Sequence, residues 1–196
     1  KEGIAVDVML DAAQAVFFIC KKEASPAADV FATIKAPETF DISRDWTLQF
    51  DTAKAGPAAP LPMAALQSWT TVANDAVRYY SGTVKYSKTV NLQPQASFQQ
   101  AWLELESVYN IATVKVNGID CGTIWTPPYQ LDISAVLKEG ANLIEIDVTN
   151  TWHNRLIADA QLPPHQRLTF TTAPFRLQGK PLQPAGLTGA VKLVVQ

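Results

Sequence analysis

Ala101–Asp159 reads AWLELESVYNIATVKVNGIDCGTIWTPPYQLDISAVLKEGANLIEIDVTNTWHNRLIAD. Apolar residues alternate with polar ones through Leu103–Val108 and again through Ala112–Val116, the period of half-buried strands. Asn117-Gly118 follows, the dipeptide best suited to a type I′ hairpin, where both central residues need positive φ. A return strand, Ile119–Ile124, leads to Trp125 and the stiff Pro127-Pro128-Tyr129. Beyond Leu131-Asp132-Ile133 and a turn at Gly140, Leu143–Thr149 is again a strand, with Ile144, Ile146 and Val148 on its buried face. It empties into a polar stretch holding Asn150, Trp152, Asn154, Arg155 and Asp159, which reads as a loop. Arg155 and Asp159 are four apart and can brace that loop as an ion pair.

The same pattern extends outward. Upstream, strands are predicted at Ile4–Leu10, Ala15–Lys21 and Val30–Lys35. A further one at Trp46–Phe50 has Trp46, Leu48 and Phe50 alternating with polar neighbours. Residues 53–66 carry Gly56, Pro57, Pro60 and Pro62 among alanines. They read as a Pro/Ala-rich surface loop with one helical turn at Met63–Leu66, because proline cannot serve a sheet interior. Val84, Tyr86, Lys88 and Val90 mark the next strand, and Arg167–Thr172 and Ala190–Val195 the last two. Strands parted by turn signals, without amphipathic helices, predict an all-β fold. The expected architecture is an antiparallel, jelly-roll-like β-sandwich, with residues 1–196 as a single accessory domain.

A chain of 196 residues can bury roughly 70% of its unfolded surface, enough for a core without staples. The net charge is −2 and Lys and Arg never cluster, so the electrostatic footprint of a nucleic-acid binder is missing. No apolar run is long enough to span a bilayer, and the sequence opens on Lys1-Glu2-Gly3 with neither Met nor a charged-then-apolar stretch. The expected surroundings are therefore aqueous, with no nucleic-acid or membrane partner, and the chain reads as a piece of something longer. Cys20 and Cys121 are the two cysteines. Free thiols are the preferred reading over a bridge between them, since sequence says nothing about their proximity.

Chemistry of the chain's own has few supports. His153 and His165 lie in loops without a second ligand at metal spacing or a nucleophile in reach, and read as solvated imidazoles. Residues 118–122 form a hairpin return, not a phosphate-binding strand-to-helix turn. Glu104 and Glu106 project from one face of a strand beside Trp102 and could span the separation of a glycosidase carboxyl pair. Strand alternation explains them more simply, with Leu103 and Leu105 inward and the glutamates in water. The aromatic residues divide. Trp46, Trp69 and Trp102 read as structural, whereas Trp125, Tyr129 and Trp152 lie beside turns, where an aromatic ring can stack on a pyranose or plug a loop. Both readings stand for Trp125 and Trp152.

The order of these pieces resembles the sugar-binding, galactose-binding-domain-like β-sandwich of family 2 glycoside hydrolases, and most closely the module of the family 106 α-L-rhamnosidases. Besides the central stretch, Ser68-Trp69-Thr70, Tyr80-Ser81-Gly82-Thr83 with Tyr86, and the closing Gly186-Leu187-Thr188-Gly189-Ala190-Val191-Lys192-Leu193 carry the likeness. Ala158, Ala185 and Ala190 depart from it, where Gly, a small polar residue and Pro are usual. The resemblance implies a non-catalytic accessory module of a bacterial-style glycoside hydrolase acting outside the cytoplasm, periplasmic or extracellular. Its partner would be the catalytic barrel of the parent chain, with carbohydrate contact possible at a rim formed by Trp125, Tyr129, Trp152, Asn154, Arg155 and Asp159. An autonomous carbohydrate-binding module is the first alternative, and a self-sufficient glycosidase using Glu104 and Glu106 the second. Sandwiches of this kind sometimes hold a structural calcium, but no Asp/Asn-rich loop here supplies its oxygen ligands, so no metal or cofactor is expected.

Overall fold

The computed structural model of the chain describes residues 8, 16–18, 37–93, 99–172, 177 and 179–196. Cys20 and the strands expected at Ile4–Leu10, Ala15–Lys21 and Val30–Lys35 lie outside them, except for Val8 and residues 16–18, which belong to no strand. The described elements are β1 (Glu38–Asp41), β2 (Arg44–Phe50), β3 (Leu61–Ala65), α1 (Asp75–Arg78), β4 (Thr83–Leu92), β5 (Ala101–Tyr109), β6 (Ile111–Val116), β7 (Ile119–Ile124), β8 (Gln130–Asp132), β9 (Gly140–Thr149), α2 (His153–Ala160) and β10 (Gly186–Val195). They make two antiparallel sheets, one ordered β1-β10-β5-β8 and the other β3-β2-β4-β9-β6-β7. The fold is the jelly-roll-like β-sandwich that the strand pattern predicts.

Alternation decides what the sheets enclose. In β9 Ile144, Ile146 and Val148 are fully buried, while Leu143, on the opposite face of the same strand, is exposed. Leu103 of β5 and Leu187 and Leu193 of β10 contribute to the same core from the smaller sheet. Each such side chain removed from water stabilises the fold by about 1.5–3 kcal/mol.

At one end of the core an aromatic cluster replaces aliphatic packing. Phe50 meets Tyr80 edge-on at 5.0 Å and Trp69 at 5.9 Å, and Trp69 stacks on Tyr86 at 6.5 Å. The Trp69 indole N–H donates to the Tyr86 hydroxyl over 2.6 Å, and the Leu187 amide donates to the same oxygen over 3.2 Å. Burial accordingly pushes the Tyr86 phenol well above its ordinary range, because ionisation would place a charge in this apolar shell. Trp46 in β2 and Trp69 in a short 3₁₀ turn are thus structural, both buried in the core.

The hairpin between β6 and β7 has φ of 54° at Asn117 and 81° at Gly118, the type I′ signature. Asn117 does more than turn the chain. Its amide N–H₂ donates to Val136 O and Asn142 Oδ1, both at 2.9 Å, while its oxygen accepts the Leu143 amide. Asn142 is itself buried and makes four hydrogen bonds through its side chain, so this polar pair is satisfied inside the sandwich.

Three expectations need correction. Part of the Pro/Ala-rich segment is strand β3, and no helical turn occurs at Met63–Leu66. Thr47 faces Pro62 and Trp46 faces Met63, which is buried. Proline is tolerated because β3 is the outermost strand of its sheet. Arg167–Thr172 is not a strand, because the Thr169 amide is bound by the Asp159 carboxylate at 2.8 Å instead of a ladder partner. The polar stretch after β9 is not wholly a loop, since residues 153–160 form α2, whose Asn154, Ile157 and Ala158 are buried on one face.

Candidate functional site

Antiparallel register brings several connections to one end of the larger sheet. Phe50 lies opposite Val84, Thr83 opposite Thr149, Thr149 opposite Ile111, and Ala112 opposite Ile124. The turn after β2, the approach to β4, the entry to α2 and Trp125 after β7 therefore share that end. Residues 80–82 are fastened to the exit of β9 by Asn150, whose amide N–H₂ donates to Tyr80 O while its oxygen accepts the Gly82 amide, both at 2.9 Å. The Arg155 amide donates to Ser81 Oγ at 3.3 Å. Tyr80 stands behind this wall. It donates to Thr83 O and accepts the Asp51 amide, and its burial raises the phenol's pKa.

Between these segments lies a cleft of about 460 Å³, within the size range of small-ligand sites. Residues 52–55, Ser81, Gly82, Thr149, Asn150, Trp152, Arg155, Leu168 and Thr169 line it. Trp152 is 60% exposed at its edge. Two other depressions, about 260 Å³ beside β3 and about 400 Å³ over β2 and β4, have no aromatic side chain in their walls.

Beneath the cleft, α2 works as a brace. Asn154 is buried, donating to Gln183 O at 2.8 Å and accepting the Gln183 amide at 2.9 Å, as a neighbouring strand would. Asp159 is buried, and its Oδ2 accepts both the amide and the hydroxyl of Thr169. Its Oδ1 lies 2.9 Å from Arg155 Nη2 as an ion pair without the directed geometry of a hydrogen bond, and Arg155 Nε has no partner among the described residues. The ion-pair contact is the one that decides the arrangement, since a buried carboxylate beside a guanidinium is charge-compensated whatever the angle.

The six rim residues therefore separate. Trp152 and Arg155 line the cleft. Trp125 is 69% exposed at the same end of the sheet, two strands away from β9, or roughly 10 Å. Tyr129 packs against the core and supports β5 through its carbonyl, which accepts the Leu105 amide. Asn154 and Asp159 stand under the rim, not on it, because Asn154 is spent on the Gln183 backbone and Asp159 on Thr169 and Arg155. Lys54, Ser81, Leu168 and Thr169 line the cleft without having been singled out. Lys54 had a signal, being the one charged residue within 53–66. Thr169 had none, since only the fold brings it to Asp159.

The remaining candidates have structural surroundings. Glu104 accepts from the Gln130 side chain at 3.2 Å, and Glu106 accepts the Ala190 amide at 2.7 Å where β10 bulges against β5. His153 sits 3.1 Å from Pro181 O, and His165 lies in a short 3₁₀ turn. Cys121 is a half-buried free thiol whose pKa burial raises. Among the described residues no three His, Cys, Asp or Glu side chains converge on a metal position.

Comparison with known proteins gives this geometry a family. Residues 70–180 match the family described as "Glycosyl hydrolase 2 galactose-binding domain-like". A protein of Formosa agariphila named "Putative beta-glucuronidase" is 43% identical over 100 residues, which is 50% of this chain and 9% of that one. The solved rhamnosidase of Novosphingobium sp. PP1Y is similar over 87% of this chain and 16% of its own, at 34% identity and a TM-score of 0.76. The β-glucuronidase of Ruminococcus gnavus shares the fold over 81% of this chain and 29% of its own, with 20% identity and a TM-score of 0.58. The chain thus spans a small part of each relative. Because the family match takes in more than half of its residues, the chain belongs to the glycosyl hydrolase 2 galactose-binding domain-like family.

Proposed function

We propose that this chain is a non-catalytic accessory domain of a larger glycoside hydrolase, and that its cleft end contacts carbohydrate. The carrying observation is Trp152, an exposed indole at the edge of a cleft whose floor is rigidly tied by Asn150 and Arg155. Pyranose rings present C–H faces that pack on such an indole, and a rigid scaffold lowers the ordering cost of binding. The sizes of the relatives support a parent with a separate catalytic barrel, whose substrate would be a glycoside such as the glucuronides or rhamnosides for which those relatives are named. Such a parent would work in the periplasm or outside the cell.

A second reading is favoured by Leu168 and Phe170, 56% and 86% exposed beside the cleft. Apolar side chains so placed suit packing against the parent barrel. The two roles are compatible, since one end of a sandwich can dock and still leave a cleft at the seam. The self-sufficient glycosidase has less support, because the Glu106 carboxylate is committed to the β10 bulge.

The test uses the 196-residue chain. It should release no chromophore from aryl β-glucuronides or aryl α-L-rhamnosides. Its tryptophan fluorescence should shift on titration with sugar, in about the millimolar range expected of a shallow site, and Trp152→Ala should abolish the shift. Hydrolysis that disappears in Glu104→Gln or Glu106→Gln would overturn the non-catalytic reading.

A further inference from the structure

Building on the carbohydrate reading above, we propose that the cleft selects an anionic pyranoside, a sugar ring bearing a carboxylate or a sulfate ester, over its neutral counterpart. The argument is an accounting of which polar groups on the wall are still free. Asn150 is fully engaged with the backbone at Tyr80 and Gly82. The Thr149 hydroxyl pairs with that of Thr83, and the Thr169 hydroxyl donates to Asp159. Ser81 Oγ already accepts the Arg155 amide. The Thr52 hydroxyl and the Ser81 O–H have no acceptor among the described residues, so the wall answers the several hydroxyls of a neutral sugar at these two points.

The charged groups on the wall are cationic. The Lys54 amine makes no hydrogen bond or ion pair among the described residues, and its stem lies across Gly82, close enough that a side chain there would meet Lys54 Cδ at 2.9 Å. The second cation, Arg155, keeps 15% of its side chain exposed; its Nε is buried and its Nη2 pairs with Asp159, so it adds positive potential at the wall and not a free donor. Among the described residues no carboxylate lines the cleft, and the buried Asp159 compensates only one of the two charges. In a chain whose net charge is −2, a recess lined by cations alone runs against the overall sign. Lys and Arg carry donors and no acceptor, so their complement is an acceptor-only group: a ring carboxylate or a sulfate. Trp152, at the same edge, would take the face of the ring.

Three probes separate the outcomes: methyl β-D-glucopyranoside, methyl β-D-glucuronide and glucose 6-sulfate, each titrated into the 196-residue chain at low salt. The glucuronide should bind about five- to ten-fold more tightly than the glucoside, the scale of one charge-assisted contact in a partly shielded cleft. The gap should close near ~0.5 M salt, where exposed charges are screened. Lys54→Met keeps the stem over Gly82 and should close the gap by weakening the glucuronide. A sulfate that binds as tightly as the glucuronide means the cleft reads charge, and a sulfate that binds as weakly as the glucoside means it reads carboxylate geometry; either supports the proposal. Equal affinity for glucoside and glucuronide overturns anion selection, and a gap that survives in Lys54→Met overturns Lys54 as its source; both leave the carbohydrate reading standing. Binding of none of the three overturns both.

Discussion

Asn154 and Trp152 are neighbours in sequence and opposites in role. The Asn154 amide is locked to both backbone groups of Gln183, whereas the Trp152 indole faces solvent. Removing the amide leaves the Gln183 donor and acceptor unpaired where water only partly reaches them, at a cost of about 1 kcal/mol. Asn154→Ala should therefore lower the denaturation midpoint clearly, and Trp152→Ala should barely move it, as urea titration of both variants would check. Equal midpoints would mean that water replaces the lost clamp. Tyr86 gives a different kind of test. Its folded pKa is raised by burial, so the stability it contributes is complete below the unfolded value of about 10 and is lost as pH climbs beyond it. Between pH 9 and 11 the parent chain should lose stability more steeply than Tyr86→Phe, with both measured by denaturant midpoint. Parallel profiles would place the alkaline sensitivity on other residues.

At the level of elements, β10 depends on one glycine. Gly186 has φ of 93°, and a Cβ there would overlap the Trp69 indole nitrogen and the Tyr86 hydroxyl, the two atoms that bond each other behind it. Gly186→Ala combines left-handed strain with a buried clash and should destabilise by several times the ~1 kcal/mol of an ordinary helix or strand glycine change. Gly118→Val tests the other end, where a Cβ meets nothing and only the positive φ opposes it. It should cost less than Gly186→Ala, and thermal melts of the two variants give the ranking. The ease of reading these elements from sequence varied with the origin of their order. β9, β6 and the Asn117-Gly118 turn were legible because alternation and turn chemistry are local. Edge strand β3 was hidden by Pro62, which its outermost position permits, and by the prolines just ahead of it. Helix α2 was hidden by its polarity, although Asn154, Ile157 and Ala158 on one face and Arg155 with Asp159 at i, i+4 already had helical spacing. Within the candidate site Trp152 and Arg155 were legible as loop residues after a strong strand. The cleft's far wall was not, since the turn at 52–55 and Thr169 reach it only through tertiary contacts.

For the whole molecule, the two sheets bury a common core, and the cleft is attached to both. The exit of β9 belongs to the larger sheet, while Asn154 holds residue 183, just ahead of β10 in the smaller one. The cleft should therefore melt with the core and not as a separate unit. Ile146 in β9 and Leu193 in β10 are both fully buried, one in each sheet. Truncation of either to alanine should cost about 2–5 kcal/mol, the usual range for a buried aliphatic side chain. The sharper expectation concerns coincidence. Trp152 fluorescence at the cleft and far-UV circular dichroism of the sheets should give the same midpoint in the parent chain, and should shift together in Ile146→Ala and in Leu193→Ala. An earlier fluorescence transition, unmoved by Leu193→Ala, would show the cleft unfolding apart from the sandwich, and Asn154 would then not couple α2 to β10. A single transition displaced equally by both truncations is the result that the shared core requires.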